Sequence, residues 1–446
     1  MAVTKDLTVG NPGRALVKFS LPLMGSVVFQ QLYNIADSLV AGKFIGDSAL
    51  AAVGNAYEIT LIYIAVAFGC NMGSSIVVSQ LFGAKKIRDI KTAVSTNFIA
   101  SGVICVLLTV LGFIFSPLIL RLIQTPRDVM GDTLVYLNIY TAGLLFMFFY
   151  NIANGIFSAL GDSKTPFLFL AASSSANILM DIWFVAGLGM GIEGVAWATF
   201  ICQGISCILA CLTVIQKLKK LPETEKAPVF SFGMLRRITG VAVPSMMQQI
   251  FVSIGNICIQ GAVNSFGIAT MAGYSAAIKV NNFYITTLST LGNAMSNYAA
   301  QNMGAGKTER VKKGFKSGLV LGIPITVIFT LVYYFFRESL IGVFINEPGD
   351  AMEIGKTFLS IVPLFYVIVC TKIVADGITR GAGAMRLFVV ATTIDLIFRA
   401  SLAYVFSYLM KSSTGIWLAW PVGWIIGMVI SLVFYMSGKW KKTLPE

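Results

Sequence analysis

The sequence predicts an all-α integral membrane protein: twelve transmembrane helices in two homologous six-helix bundles related by a pseudo-twofold axis along the membrane normal. Three observations predict it. The 446 residues are 56% hydrophobic and only 12% charged, with a mean hydropathy of +0.80, far from the quarter-charged average of soluble domains. Apolar runs of about 20 residues, long enough to cross a hydrocarbon core of about 30 Å, recur from one end of the chain to the other. The second half of the chain also repeats the first.

Taken in order, the predicted spans cover residues 16–42, 50–81, 92–118, 133–158, 166–187, 190–216, 236–264, 269–300, 316–338, 354–380, 387–410 and 414–438. Residues 1–15 are polar and the first apolar run reads as a full span, so no cleavable signal is expected and span 1 itself directs insertion. The repeat is easiest to see where "SQLFGAKKIRDIK" from Ser79 returns as "AQNMGAGKTERVK" from Ala300: Gln80, Gly83, Ala84 and Lys86 fall on Gln301, Gly304, Ala305 and Lys307. In the same register "ALAAVG" from Ala49 falls on "TMAGYS" from Thr270. Pro22 matches Pro244 and Asn34 matches Asn256. "NGIFSALGDSK" from Asn154 matches "DGITRGAGAMR" from Asp376, and Gly194 matches Gly415. Each repeat holds six spans, an even number, so matching helices cross in the same direction. The expected division is an N-terminal lobe 1–216, a charged cytoplasmic linker 217–235 and a C-terminal lobe 236–446. In each repeated phrase the glycine is expected to end the second helix, with the lysines holding the turn at the cytoplasmic surface. Neither copy has Walker spacing, and no strand precedes either one.

The net charge of +13 raises nucleic acid as a partner, but the placement of the cations argues against it. Most of the 33 lysines and arginines lie at the termini and in loops after even-numbered spans, which by the positive-inside rule makes both termini cytoplasmic. Contact with anionic lipid head groups accounts for the excess. Histidine is absent, which removes the commonest general base from any enzymatic proposal, and no Gly-x-Ser-x-Gly stands at a membrane boundary. The seven cysteines all fall inside spans, where they pack as small apolar groups; neither disulfides nor a cysteine metal site is expected. The chain reads as a transporter, not an enzyme.

Each ionisable group at membrane depth costs at least about 2.5 kcal/mol on insertion scales and demands an account. Asp37 lies in span 1, Asn177 and Asp181 lie one turn apart on span 5, and Thr199 lies in span 6. No Lys or Arg occurs inside spans 2 to 6, so these acids are expected to bind a proton or a cation such as Na⁺. On span 10, Lys372, Asp376 and Arg380 step along one face, with Asp395 and Arg399 on span 11 and Lys279 on span 8. That set is expected to be a neutral network gluing the C-terminal bundle; the alternative is a second proton relay or a substrate contact at Asp376. A third group is rich in amides and aromatics: Gln30, Gln31, Tyr33, Asn34 and Tyr57, then Gln248, Gln249, Asn256, Gln260, Asn281, Asn282 and Tyr284. With Met24, Met72, Met246, Met247 and Met295 they are expected to line a cavity for varied amphipathic guests, since Met and aromatics repack easily. Apolar walls and a free carboxylate suit lipophilic organic cations.

These residues resemble the multidrug and toxic compound extrusion (MATE) family. The resemblance runs over nearly the whole chain, through "SLPLMGSVVFQQLYNIADSLVAGKFIG", "SQLFGAKK", "NGIFSALGDSKTP" and "NILMDIWFVAGLGMGIEGVAWAT". It implies a secondary antiporter of a bacterial or archaeal inner membrane that expels amphipathic, often cationic compounds against entry of H⁺ or Na⁺. No other cofactor is implied; the partners are membrane lipids and small amphipathic compounds, and the chain is expected to be a monomer. In the similar DNA-damage-inducible branch the coupling residues fall on Asp37, Asn177, Asp181 and Thr199, which would also hold Na⁺. The glutamate of the other bacterial branch has no counterpart, because no acid lies between residues 226 and 308, and Asp376 is the available substitute. The rival transporter reading, a flippase for lipid-linked sugars, predicts more cations in the central cleft, whereas the N-terminal half has none.

Overall fold

The computed structural model describes residues 6–40, 45, 47–122, 125–222, 226–345 and 348–442; of residues 32–40, 47–51, 58 and 442 it describes the backbone only. Among the described residues there is no strand. The helices run α1 Pro12–Val40, α2 Asp47–Gly83, α3 Ile87–Leu122, α4 Arg127–Ala142, α5 Leu144–Ala159, α6 Lys164–Ile182, α7 Gly191–Lys219 and α8 Phe232–Asn264. They continue with α9 Ile268–Gly304, α10 Thr308–Phe335, α11 Arg337–Gly342, α12 Asp350–Ile361, α13 Tyr366–Gly381, α14 Met385–Met410 and α15 Thr414–Met436.

Three of the twelve expected spans are built from more than one piece. The helices α4 and α5 meet at Gly143 with a bend of 48°. A π-helical turn, Trp183–Gly187, extends α6, and a 3-10 turn, Val362–Phe365, joins α12 to α13 at Pro363, which lacks the N–H that a continuous helix needs there. Nine helices among the described residues are long and apolar enough to cross a membrane, ten with the bent pair. The remaining two long rods, α1 and α9, complete the twelve; α1 carries amides at Gln30, Gln31 and Asn34, and α9 carries six spread from Asn281 to Asn302.

Two compact units result, one formed by residues 21–246 with Asp6 and one by residues 7–20 with 247–446. Each has the same internal order: α2 packs on α3, α4 and α5, and α5 on α7, as α9 packs on α10, α12 and α13, and α13 on α15. The border between units differs from a division at the linker. It falls inside α1 and α8, next to Pro22 and Pro244. Both helices are unbroken to a hydropathy reading, which locates the linker but carries no sign that the opening part of each helix packs with the other repeat.

The duplication extends to single hydrogen bonds. After α2, Ala84 N–H donates to Gln80 O and Lys86 N–H to Leu81 O; after α9, Ala305 N–H donates to Gln301 O and Lys307 N–H to Asn302 O. Both turns are Schellman caps, which need a left-handed residue two places beyond the glycine that ends the helix. Gly306 fills that place at φ 70°, but the first copy puts Lys85 there at φ 57°. The pairs Asp162 to Phe157 and Ala384 to Thr379 repeat the motif around left-handed Gly161 and Gly383.

The loop after α5 positions the helix that follows it. Asp162 accepts from the Lys164 and Thr165 backbone N–H groups at 3.1 Å each, from the Thr165 hydroxyl at 2.5 Å and from Lys217 Nζ at 2.7 Å. It thereby caps the start of α6 and ties it to the end of α7. Burial by itself would push this carboxyl up, but the hydrogen bonds from Lys217 and Thr165 outweigh it and hold the carboxyl below its ordinary range.

Replacing Lys85 by Gly is expected to stabilise the protein by roughly 0.5 to 1 kcal/mol, because the left-handed position strains a side chain; thermal unfolding in detergent measures it. Asp162→Asn is expected to cost about 3 kcal/mol at neutral pH, as for breaking a buried ion pair. The folded carboxyl titrates lower than the unfolded one, so its stabilisation is present above the unfolded pKa and fades as pH falls through the folded value. The gap between wild type and variant in unfolding temperature should therefore close on acidification.

Candidate functional site

In the first unit the helix α6 is inside out. Its buried residues are Pro166, Ser174, Asn177 and Asp181, while Leu168, Leu179 and the following Trp183 are exposed. Spacings of three and four put Ser174, Asn177 and Asp181 on one stripe, and the stripe packs against α7. There Asn177 Nδ2 donates to Thr199 Oγ1 at 3.5 Å, and one turn beyond, Cys202 Sγ contacts Met180 Sδ at 3.5 Å. Asp181 is 0% exposed. The π-helical turn begins two residues later, and the first turn of α7 closes on it, with Val185 and Val195 in one apolar cluster. A wide helical turn of this kind is frequently found at functional positions. The lysines and arginines of α2 to α7 lie near helix ends. The stripe therefore offers a carboxylate, an amide and hydroxyls on the described residues of α6 and α7. That donor set suits a proton or a small cation. Ser174 belongs to this face and was missed from sequence; its spacing from Asn177 and Asp181 was the available signal.

The remaining sequence expectations divide three ways. Asp37, Tyr33 and Asn34 lie on α1, but their side chains fall outside the described residues. Gln30, Tyr57, Asn256 and Asn282 are exposed, and Gln31, Gln248 and Gln249 half-buried. An exposed amide within a spanning helix needs water or protein beside it, because hydrocarbon gives it no partner. Several residues expected to line a cavity pack in the interior of their unit instead. Met24, Met72, Met295, Asn281 and Tyr284 are buried. Neighbouring positions on a helix point about 100° apart, so Asn282 and Asn281 diverge: Asn282 is exposed, while Asn281 Oδ1 accepts from Tyr366 Oη at 2.8 Å. Tyr284 stacks on Tyr366 with ring centroids 3.8 Å apart and donates to the Tyr366 carbonyl at 3.0 Å.

The second unit buries a mixed network. Lys372 Nζ lies 2.8 Å from Asp376 Oδ2 and 3.7 Å from Asp395 Oδ2, and Ser431 Oγ donates to Asp376 Oδ1 at 2.6 Å. Arg380 donates to Ser296 Oγ at 2.9 Å and Asn293 Oδ1 at 2.8 Å, and the Arg399 guanidinium lies over Trp420 at 4.7 Å. Two glycines of α15 make the room: a Cβ at Gly427 would come within 2.7 Å of Lys372 Cε, and one at Gly423 within 2.7 Å of Arg399 Cβ. Asp376, one of the expected substrate ligands, is buried at 6% exposure in this ion pair. Lys279 stands apart, exposed and 5.3 Å above the Phe344 ring. The neutral partners Ser431, Asn293 and Ser296 had no signal in the sequence, since serine and asparagine in an apolar run have many uses.

A family model described as MatE matches residues 22–183 and matches again at residues 244–405. The probable multidrug resistance protein YpnP of Bacillus subtilis is 28% identical over 445 residues, spanning 98% of this chain and 97% of its own. A FAD transporter of Shewanella oneidensis is 22% identical, over 79% of each chain. Among solved structures, a MOP superfamily transporter from Pyrococcus furiosus superposes with a TM-score of 0.92 at 21% identity, covering 99% of this chain and 100% of that one. An outward-facing multidrug resistance MATE transporter gives the same score at 22% identity with the same coverage.

Lys372→Met should destabilise the protein by about 3 to 5 kcal/mol, because it leaves two buried acids without their shared cation. Adding Asp376→Leu should restore part of that loss, since it removes the nearer of the two acids left without a cation while Asp395 remains. Unfolding temperatures of the single and double variants check both statements.

Proposed function

The chain belongs to the MATE family of membrane transporters, and from that premise we propose a secondary antiporter that expels amphipathic, cationic drug-like compounds in exchange for inward-moving H⁺ or Na⁺. The observation that carries this reading is the buried polar stripe of α6, with Asp181 at 0% exposure and Asn177 hydrogen-bonded to Thr199. We assign the coupling ion to Asp181, Asn177 and Thr199, joined by Asp37 of α1. The multidrug resistance names of its relatives support the substrate class, and the exposed amides Gln30, Asn256 and Asn282 supply weakly polar contacts of the kind a varied guest needs. The membrane is the bacterial inner membrane, with both termini in the cytoplasm, in keeping with the placement of the basic residues.

The cycle follows from differential affinity, because a ligand shifts a conformational equilibrium only by binding one state better than the other. In the outward-facing state Asp181 takes a proton or cation from outside. Neutralised, the site no longer holds an organic cation, which leaves outward, and the charge-compensated protein is free to close and reopen inward. There the ion departs and the restored carboxylate attracts the next substrate.

Asp181→Asn keeps the side chain's shape and hydrogen-bonding capacity but removes its titration. Efflux of a fluorescent cation from cells should fall to the level of an empty vector while the protein still purifies as a folded species. Collapsing the proton and sodium gradients separately in inverted vesicles then names the ion: efflux stops with one of them. Normal efflux by the variant, or efflux that survives both treatments, removes the assignment.

A further inference from the structure

The repeated turns do more than end two helices. After α9, Gln301 Oε1 accepts from the Leu7 backbone N–H at 2.9 Å and Asn302 Nδ2 donates to the Leu7 carbonyl at 3.3 Å. Lys307 Nζ donates to the Thr8 carbonyl at 2.9 Å. Arg310 reaches the same Leu7 carbonyl at 3.2 Å and two further ones, Val9 at 2.6 Å and Gly10 at 2.6 Å. Leu7 itself is 1% exposed, and Leu16, Phe19 and Ser20 further along are 0%. The matching glutamine of the first copy does the same for the other repeat. Gln80 Oε1 accepts from Arg237 Nη2 at 2.9 Å, and Thr96 Oγ1 accepts from the Ser231 N–H at 3.2 Å. Behind them α2 presents Gly69 and Gly73 to α8; a Cβ on Gly69 would come within 2.8 Å of the Ala242 carbonyl, and one on Gly73 within 3.0 Å of Ile238 and Ala242. Small residues four apart permit that close packing.

We propose that each repeated turn is a docking site for the lead-in segment of the other repeat's first helix, residues 7–20 for the second copy and 231–246 for the first, and that both docks stay closed throughout transport. The chemistry fits a fixed dock better than a gate. The lead-in backbone at Leu7, Thr8, Val9 and Gly10 has its acceptors met by charged donors, while Leu7, Leu16 and Phe19 are removed from solvent. Peeling it away would strip several charge-assisted bonds and expose Leu7, Leu16 and Phe19 together. The same glutamine serves in both copies although its donor is a backbone N–H in one and an arginine in the other, so the docking function has been retained while the contact itself diverged. This inference rests on the transport reading above only for the claim that the docks remain shut during the cycle.

A disulfide tests it directly. A Cβ built on Gly13 stands 3.9 Å from Ser317 Cβ, within the span a disulfide needs, so Gly13→Cys with Ser317→Cys can be oxidised to staple the lead-in segment to α10. With bond formation verified by peptide mass spectrometry, efflux by the oxidised protein should stay within about twofold of the same protein reduced. A loss of tenfold or more on oxidation, reversed by reductant, would show that the dock opens and overturn the proposal. Should the reduced variant itself show no gradient-driven efflux, the transport reading fails and the docking claim is decided by exchange. Amide hydrogens of residues 7–10 should exchange at least tenfold faster in Arg310→Ala than in wild type, with those of α13 unchanged. Equal rates in the two proteins would mean that this turn does not hold the segment.

Discussion

Hydrocarbon offers a polar atom no partner, and most of the interior arrangement of this protein follows from that one fact. The polar stripe of α6 turns towards α7 because nothing outside the bundle could accept it, while Leu168 and Leu179 face outward. Lys372 sits between Asp376 and Asp395 for the same reason. Even the aromatic residues obey it: Tyr284 and Tyr366 stack inside their unit because each hydroxyl finds an acceptor there. In water these groups could have pointed almost anywhere.

The two units share a plan but differ in electrostatics. In the first, a buried carboxyl, an amide and hydroxyls gather on α6 and α7, away from the basic residues at the helix ends. In the second, α13, α14 and α15 enclose acids together with an ammonium and a guanidinium supplied by the chain itself. A tethered cation answers the charge of the acids without exchanging with the medium. On the reading advanced here, ion exchange belongs to the first unit, and the network of the second holds its bundle together.

The helices were legible because their signal is long and additive: some twenty apolar residues outweigh any local exception, and the ends of α7, α9 and α14 fall within a few residues of expectation. The stripe of Asn177 and Asp181 was legible because spacing on a helix is geometry. Neighbouring positions were harder to separate. Asn281 and Asn282 look alike in sequence yet face opposite environments, and Met24, Met72 and Met295 are as suited to a core as to a cavity wall. Lys85 in a left-handed turn could be recognised only by setting it against Gly306. Long-range exchange left no trace at all, since hydropathy runs along the chain while the partner of Leu7 lies 294 residues away.

That separation bears on biosynthesis. Residues 7–20 are made before the bundle they complete, and residues 231–246 follow the helices of the one they complete. Each unit takes in a segment from the other repeat, and residues 7–10 meet their hydrogen-bond partners only once α9 and α10 have been made. The halves are alike in plan, yet each bundle is finished by a piece of its twin, so a cut at the linker would leave both without their opening segment.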